Sequence, residues 1–134
     1  MKRFEALQPL SREHHQALSV AARLARCSDG SALDDCWTRL ETEFFPTLRA
    51  HFDAEECWLL PLLEAAPDLK RRLLDDHREL RELMASGGSE AHKAFGAALK
   101  AHVRFEEQEL FEWLQRQFSA DALLEAREKG DEAH

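Results

Sequence analysis

Two stretches of the sequence repeat one chemical pattern, His51-Phe52-Asp53-Ala54-Glu55-Glu56 and His102-Val103-Arg104-Phe105-Glu106-Glu107. In each, a histidine and a glutamate stand four residues apart, which on a helix stacks them on one face, one turn apart. Both pairs fall where the surrounding apolar repeat calls for buried residues. An ionised carboxylate in an apolar seam costs several kcal/mol or more unless it is partnered, and a bound cation would answer both glutamates at once. Imidazole nitrogen and carboxylate oxygen suit iron, zinc, manganese or copper, whereas calcium and magnesium prefer all-oxygen shells. His14 and His77 hold equivalent seam positions on two further helical stretches. Four histidines and two carboxylates are too many for one tetrahedral zinc. They suit two metal ions, with the carboxylates bridging.

Four long helices must position these residues. The first spans Leu7 to Arg26, with Pro9 and Ser11 near its start and an inward stripe of Leu7, Leu10, His14, Ala17, Ala21 and Leu24. Ser28-Asp29-Gly30-Ser31 breaks the chain. The second spans about Leu33 to Ala65, with the stripe Trp37, Glu41, Phe44, Leu48, His51, Glu55, Trp58 and Leu62. Pro46 and Pro61 remove backbone hydrogen bonds, so a kink is expected near the first and a kink or an early end near the second. The Phe45-Pro46 step can also separate a short lead-in helix from the main one. Pro67 opens the third helix, with the stripe Leu69, Leu73, His77, Leu80 and Met84, and Ser86-Gly87-Gly88-Ser89 closes it. The fourth runs from Glu90 to about Phe118 on the stripe Phe95, Leu99, His102, Glu106, Leu110 and Trp113. Ser119 and Asp121 cap a short last helix that Gly130 closes. The expected fold is all-α: an up-down-up-down four-helix bundle with a C-terminal helix. Counting residues from the loops sets Glu55, His77 and His102 at nearly one height, while His14 needs an overhang or the Pro46 kink to join them.

At 134 residues the chain is expected to form one domain over 1–134, with the core at 7–118 and the last helix at about 120–129. It has no apolar run long enough to span a membrane. The opening Met1-Lys2-Arg3-Phe4-Glu5 leads into no apolar region, so no secretory signal is expected and a cytoplasmic location is. The net charge of -8 argues against nucleic acid and anionic membranes as partners. Cys27, Cys36 and Cys57 form no Cys-x-x-Cys pair, and their odd number fits a reduced compartment. Cys57 is close enough to Glu55 in sequence to approach the same site.

Other templates fail. There is no His-Glu-x-x-His for a zinc protease and no Glu-x-x-His of the ferritin type, nor a phosphate loop or a dinucleotide fingerprint. His14 and His15 cannot both point inward. His14 lies on the apolar seam and His15 about 100° away, so His14 is the ligand candidate. His92 is out of phase with His102 and reads as surface, His134 as a frayed end, and Glu41 as a seam residue near a bundle end. Trp37, Trp58 and Trp113 read as core, the last two as walls against water.

The ordered set of motifs resembles the hemerythrin-like family in its bacterial HHE cation-binding form, over roughly residues 7 to 114. The matching residues are Leu10-Ser11-Arg12-Glu13-His14, His51-Phe52 with Glu55-Glu56 and Leu60-Pro61, Asp76-His77 with Leu80, and His102 with Glu106. The resemblance implies His14, His51, His77 and His102 as terminal ligands. It implies Glu55 and Glu106 as bridges between two non-haem irons that share an oxo or hydroxo group, with zinc or manganese as substitutes. The sequence departs from the oxygen-carrying hemerythrins, which place a second histidine on the third helix where this chain has Leu73. They also use an aspartate five residues after the fourth-helix histidine, where this chain has Glu106 at four. The resemblance therefore implies binding of, or reaction with, a diatomic ligand, O2 or NO, in sensing or stress response. The alternatives are a di-iron enzyme or iron donor in nitrosative or oxidative stress or iron-centre repair, and a metal store without chemistry.

Overall fold

The computed structural model describes residues 2–27 and 30–132. The break expected at Ser28-Asp29 and the frayed end expected at His134 lie outside the described residues. After a single 3-10 turn, Glu5–Leu7, the helices are α1 (Gln8–Arg26), α2 (Gly30–Glu43), α3 (Phe45–Trp58), α4 (Pro67–Ala85), α5 (Ser89–Phe105), α6 (Phe111–Gln117) and α7 (Ala120–Glu132). The described residues contain no strand. α1, α3, α4 and α5 form the bundle around the site.

The element boundaries have local causes. Pro9 and Pro67 sit in the first turns of α1 and α4, where the missing N–H breaks no helical bond. The long second helix divides at Phe44, whose backbone (φ -121°, ψ -44°) leaves the helical region, and Pro46 lies in the first turn of α3. The lead-in alternative is therefore the one adopted. α3 ends at Trp58, and Pro61 lies in a 3-10 turn, Leu60–Leu63. Gly88 turns the chain into α5 with φ +100°, a conformation that favours glycine. The Ser119 hydroxyl accepts from the Ala122 N–H at 3.1 Å and caps α7.

Two expectations fail at the C-terminal end. The fourth helix is not uniform: Glu106–Leu110 is a π-helical turn between α5 and α6. Its extra residue rotates α6 relative to α5, so Phe111 and Leu114 are buried and Trp113 is only half-buried, although the helical period pointed Trp113 inward. Gly130 does not close the last helix but lies within α7, buried against α3. A Cβ at Gly130 would stand 2.7 Å from Trp58 Cβ, so only glycine allows this approach.

The core divides in two. One apolar cluster includes Ala17, Leu48, Leu80 and Leu99, and the other includes Leu10, Trp58, Leu73 and Phe105. On each bundle helix the chain passes from one cluster to the other across a single polar layer. His14 stands between Leu10 and Ala17, His51 between Leu48 and Trp58, His77 between Leu73 and Leu80, and His102 between Leu99 and Phe105. Because α2 is a separate helix, its length drops out of the height count, and His14 joins the other three histidines.

Candidate metal centre

The polar layer is sealed. His14, His51, His77 and His102 are at most 4% exposed, and Glu55 and Glu106 are fully buried. At this height they are the polar groups that α1, α3, α4, α5 and the π turn present to the bundle axis, so they meet one another. Glu106 Oε1 lies 2.9 Å from His14 Nε2, 3.0 Å from His102 Nε2 and 3.8 Å from His51 Nε2. Glu55 lies 3.0 Å from His77 Nε2 and 3.3 Å from His51 Nε2.

The ligand-type atoms fall into two overlapping sets. His14, His51, Glu55 and Glu106 form one, and Glu55, His77, His102 and Glu106 the other; within each, one atom per residue lies within 4.8 Å of all the rest. Both glutamates belong to both sets. The imidazoles pair accordingly, with ring centroids 5.0 Å apart for His14 and His51 and 5.0 Å for His77 and His102.

The donor set fits a cation by what it leaves unanswered. Glu55 Oε2, Glu106 Oε2 and His102 Nε2 are buried with no hydrogen-bond partner among the described residues. Buried polar atoms of this kind are rare in folded proteins unless something absent from the protein chain satisfies them. In the metal-free chain the buried carboxylates instead draw the histidines towards their charged forms. Burial disfavours the charged imidazole of His14, but Glu106 and Glu107 override it and push His14 up to about 9. Burial likewise opposes the charge on His102, and Glu106 and Asp76 raise it to about 10. His51 is raised well above its ordinary value against the same burial, first by Glu55. Glu106 is held well below the usual carboxylate range, burial being outweighed by His102, Glu55 and His14.

The comparison with known families then decides the assignment. The family model described as the hemerythrin HHE cation-binding domain matches residues 5–114. The chain belongs to this family. No curated protein and no solved structure matches it. The family's name states cation binding, and the two buried His/Glu sets of this HHE domain are where a cation fits.

The HHE domain also contains a second layer that sequence reasoning missed. Each of the four histidines directs Nδ1 at an outer carboxylate: His14 at Glu107 (2.6 Å), His51 at Glu13 (2.9 Å), His77 at Glu56 (2.6 Å) and His102 at Asp76 (2.9 Å). The pattern is cyclic. α1 supports the histidine of α3, α3 that of α4, α4 that of α5, and the π turn after α5 that of α1. An Nδ1–H donated outward leaves the Nε2 lone pair facing the site, the tautomer a metal ligand requires. Arginines hold three of the outer carboxylates: Arg81 on Glu56 (2.7 Å), Arg72 on Asp76 (2.9 Å) and Arg3 on Glu107 (3.1 Å). Burial works against ionisation of these three, but their histidine and arginine partners keep them below the usual carboxylate range. The signal was present in the sequence. Glu13, Glu56, Asp76 and Glu107 each adjoin a residue of the inner layer, and one residue's rotation carries them to the next helix.

The remaining candidates fall away from the centre. His15 is exposed, as the seam required. Cys57 does not approach the glutamates; its thiol donates to the Gly130 carbonyl at 3.4 Å. Glu41 is exposed rather than inward. His92 is not on the surface: it is 5% exposed and stacks on Trp37 at 4.0 Å. α2 gives α5 a second packing face that a four-helix count did not provide. Leu73 is fully buried in the apolar cluster beside the site and offers no donor.

Proposed function

We propose that this HHE domain holds two non-haem irons and that the pair binds or reacts with a small diatomic ligand, O2 or NO. His14 and His51 would serve one iron, His77 and His102 the other, and Glu55 and Glu106 both. The observation that carries this reading is the sharing of two fully buried glutamates between two sets of histidines, with one oxygen of each glutamate left without a hydrogen-bond partner among the described residues. When bound, such metals supply Lewis acidity and one-electron redox chemistry towards the ligand. The chain's own residues do the rest. The outer carboxylates fix the imidazole tautomers, and the apolar clusters on either side exclude bulk water. Zinc and manganese accept the same donors and would act as substitutes.

Elemental analysis of protein purified with iron available tests the reading. Two irons per chain are expected, and one zinc per chain would overturn it. Leu73 favours a second reading, because a leucine there gives one iron fewer protein ligands than in an oxygen carrier. Under it the domain is an enzyme or iron donor in nitrosative or oxidative stress. A visible band that forms with O2 and reverses on its removal supports carriage or sensing, whereas irreversible oxidation or catalytic loss of NO supports the second reading.

A further inference from the structure

The loosest seam of the bundle lies directly over the centre. α1 packs chiefly on α5, and α3 on α2, α4 and α7, while α1 and α3 are not closely packed on each other. A throat enters this seam. Its rim is polar, formed by Glu13 and Gln16 of α1 and Thr47 of α3. Its walls are apolar and include Ala17, Leu48, Leu99 and Val103, and His14, His51, His102 and Glu106 form its floor. Its free space is about 10 Å³, at the threshold for one water-sized molecule.

Among the described residues lining the throat, Glu13 is the only ionisable side chain outside the floor. Its side chain is 39% exposed and accepts from His51 Nδ1–H at 2.9 Å. Unlike Glu56, Asp76 and Glu107, it has no arginine or lysine partner among the described residues. Arg12 lies along the neighbouring surface hollow with Glu13, not along the throat. With His51 neutral, as a metal ligand must be, the Glu13 carboxylate brings to the entrance of this apolar passage a negative charge that no arginine or lysine pairs with among the described residues.

We infer that the ligand enters between α1 and α3 and that Glu13 is a charge filter at this entrance, slowing anions relative to uncharged diatomics. The inference rests on the metal centre proposed above. Two substitutions test it in metal-loaded protein. Glu13→Gln removes the charge and keeps an acceptor oxygen for His51. The measured quantity is the ratio of the association rate of azide with the oxidised protein to that of nitric oxide with the reduced protein, both by stopped flow. The expected rise in this ratio is roughly tenfold, the low end of the range by which local charge alters ionic on-rates. Thr47→Trp plugs the exposed rim. It is expected to slow nitric-oxide association and dissociation by the same factor, roughly tenfold, and so to leave the affinity unchanged, as an obstruction on the path must.

Metal per chain and the thermal midpoint accompany the rates. Thr47→Trp is expected to match the wild type, whereas Glu13→Gln, which keeps only a weaker acceptor for His51, is expected to hold metal less tightly, so its rates are taken per bound iron. A fall in the azide-to-nitric-oxide ratio in Glu13→Gln would overturn the filter. An unchanged ratio would do the same, and wild-type rates in Thr47→Trp would overturn the route. A wild-type protein that holds no metal, or reacts with neither probe, would sink the metal-centre reading itself; a reactive wild type with unresponsive variants sinks only the filter.

Discussion

Glu55 and Glu106 are the residues on which the rest of the layer depends, because each is fully buried and each faces both pairs of histidines. Removing one takes a shared ligand and half of the shared counter-charge from both sets at once, so Glu55→Ala or Glu106→Ala is expected to strip most of the metal from the protein. Near-full occupancy by elemental analysis in either variant would refute their shared role. The same measurement separates the adjacent histidines: His14→Ala should lose metal and the exposed His15→Ala should not. The outer carboxylates act at one remove. Asp76→Asn weakens the acceptor of His102 Nδ1–H and loosens Arg72, so metal affinity should fall by about 10- to 100-fold with the fold intact, as competition with a chelator would show. The inner residues were readable from sequence, since helical periodicity alone puts His51 with Glu55 and His102 with Glu106. Their outer partners were not, because an acidic residue beside a histidine is ordinary on a solvated helix. Only the docking of neighbouring helices gives Glu13 or Asp76 a histidine to hold.

At the scale of elements, the sequence identified the helices and their inward faces but not the places where the helix changes type. The π turn at Glu106–Leu110 has no side-chain signature, yet it begins at an inner glutamate and brings Glu107 under His14. π turns are frequent at functional sites because the extra residue re-aims side chains that a regular helix would place elsewhere. Pro46 announced a disturbance, and the separation of α2 is its consequence. Nothing in the sequence announced that α2 would cover α5 and bury His92 against Trp37. Gly130 was misread because glycine more often ends a helix than lies inside one. Its place against Trp58 makes a sharp prediction. Gly130→Ala must displace α7 or the Trp58 backbone, with an expected loss of roughly 1–3 kcal/mol of unfolding free energy. Denaturant titration measures this, and a neutral effect would mean that α7 does not pack on α3 as described. Metal content should be unchanged, since Gly130 lies beyond the polar layer.

For the whole molecule, the buried charge layer makes stability a function of pH, with opposite dependence in the metal-free and metal-loaded forms. In the metal-free chain the carboxylates raise His14 from an ordinary 6.5 to about 9 and His102 to about 10. A group raised on folding binds its proton more tightly in the folded state. Its contribution is therefore complete below about pH 6.5 and is lost as the pH rises towards 9 to 10. Glu106 is lowered, so its contribution is present above its ordinary 4.5 and is lost as the pH falls below that. Metal-free protein should thus be most stable at about pH 4.5–6.5, and its thermal midpoint should fall between pH 6.5 and 10. Metal reverses the slope, because it needs neutral imidazoles and must displace the protons that occupy the centre. Uptake near pH 7 should release protons, measurable by calorimetry in buffers of different ionisation enthalpy. The gap between loaded and metal-free thermal midpoints should widen as the pH rises to 9. A metal-free midpoint that climbs over the same interval would mean that the buried histidines are neutral, and that the layer is not held together by protons when metal is absent.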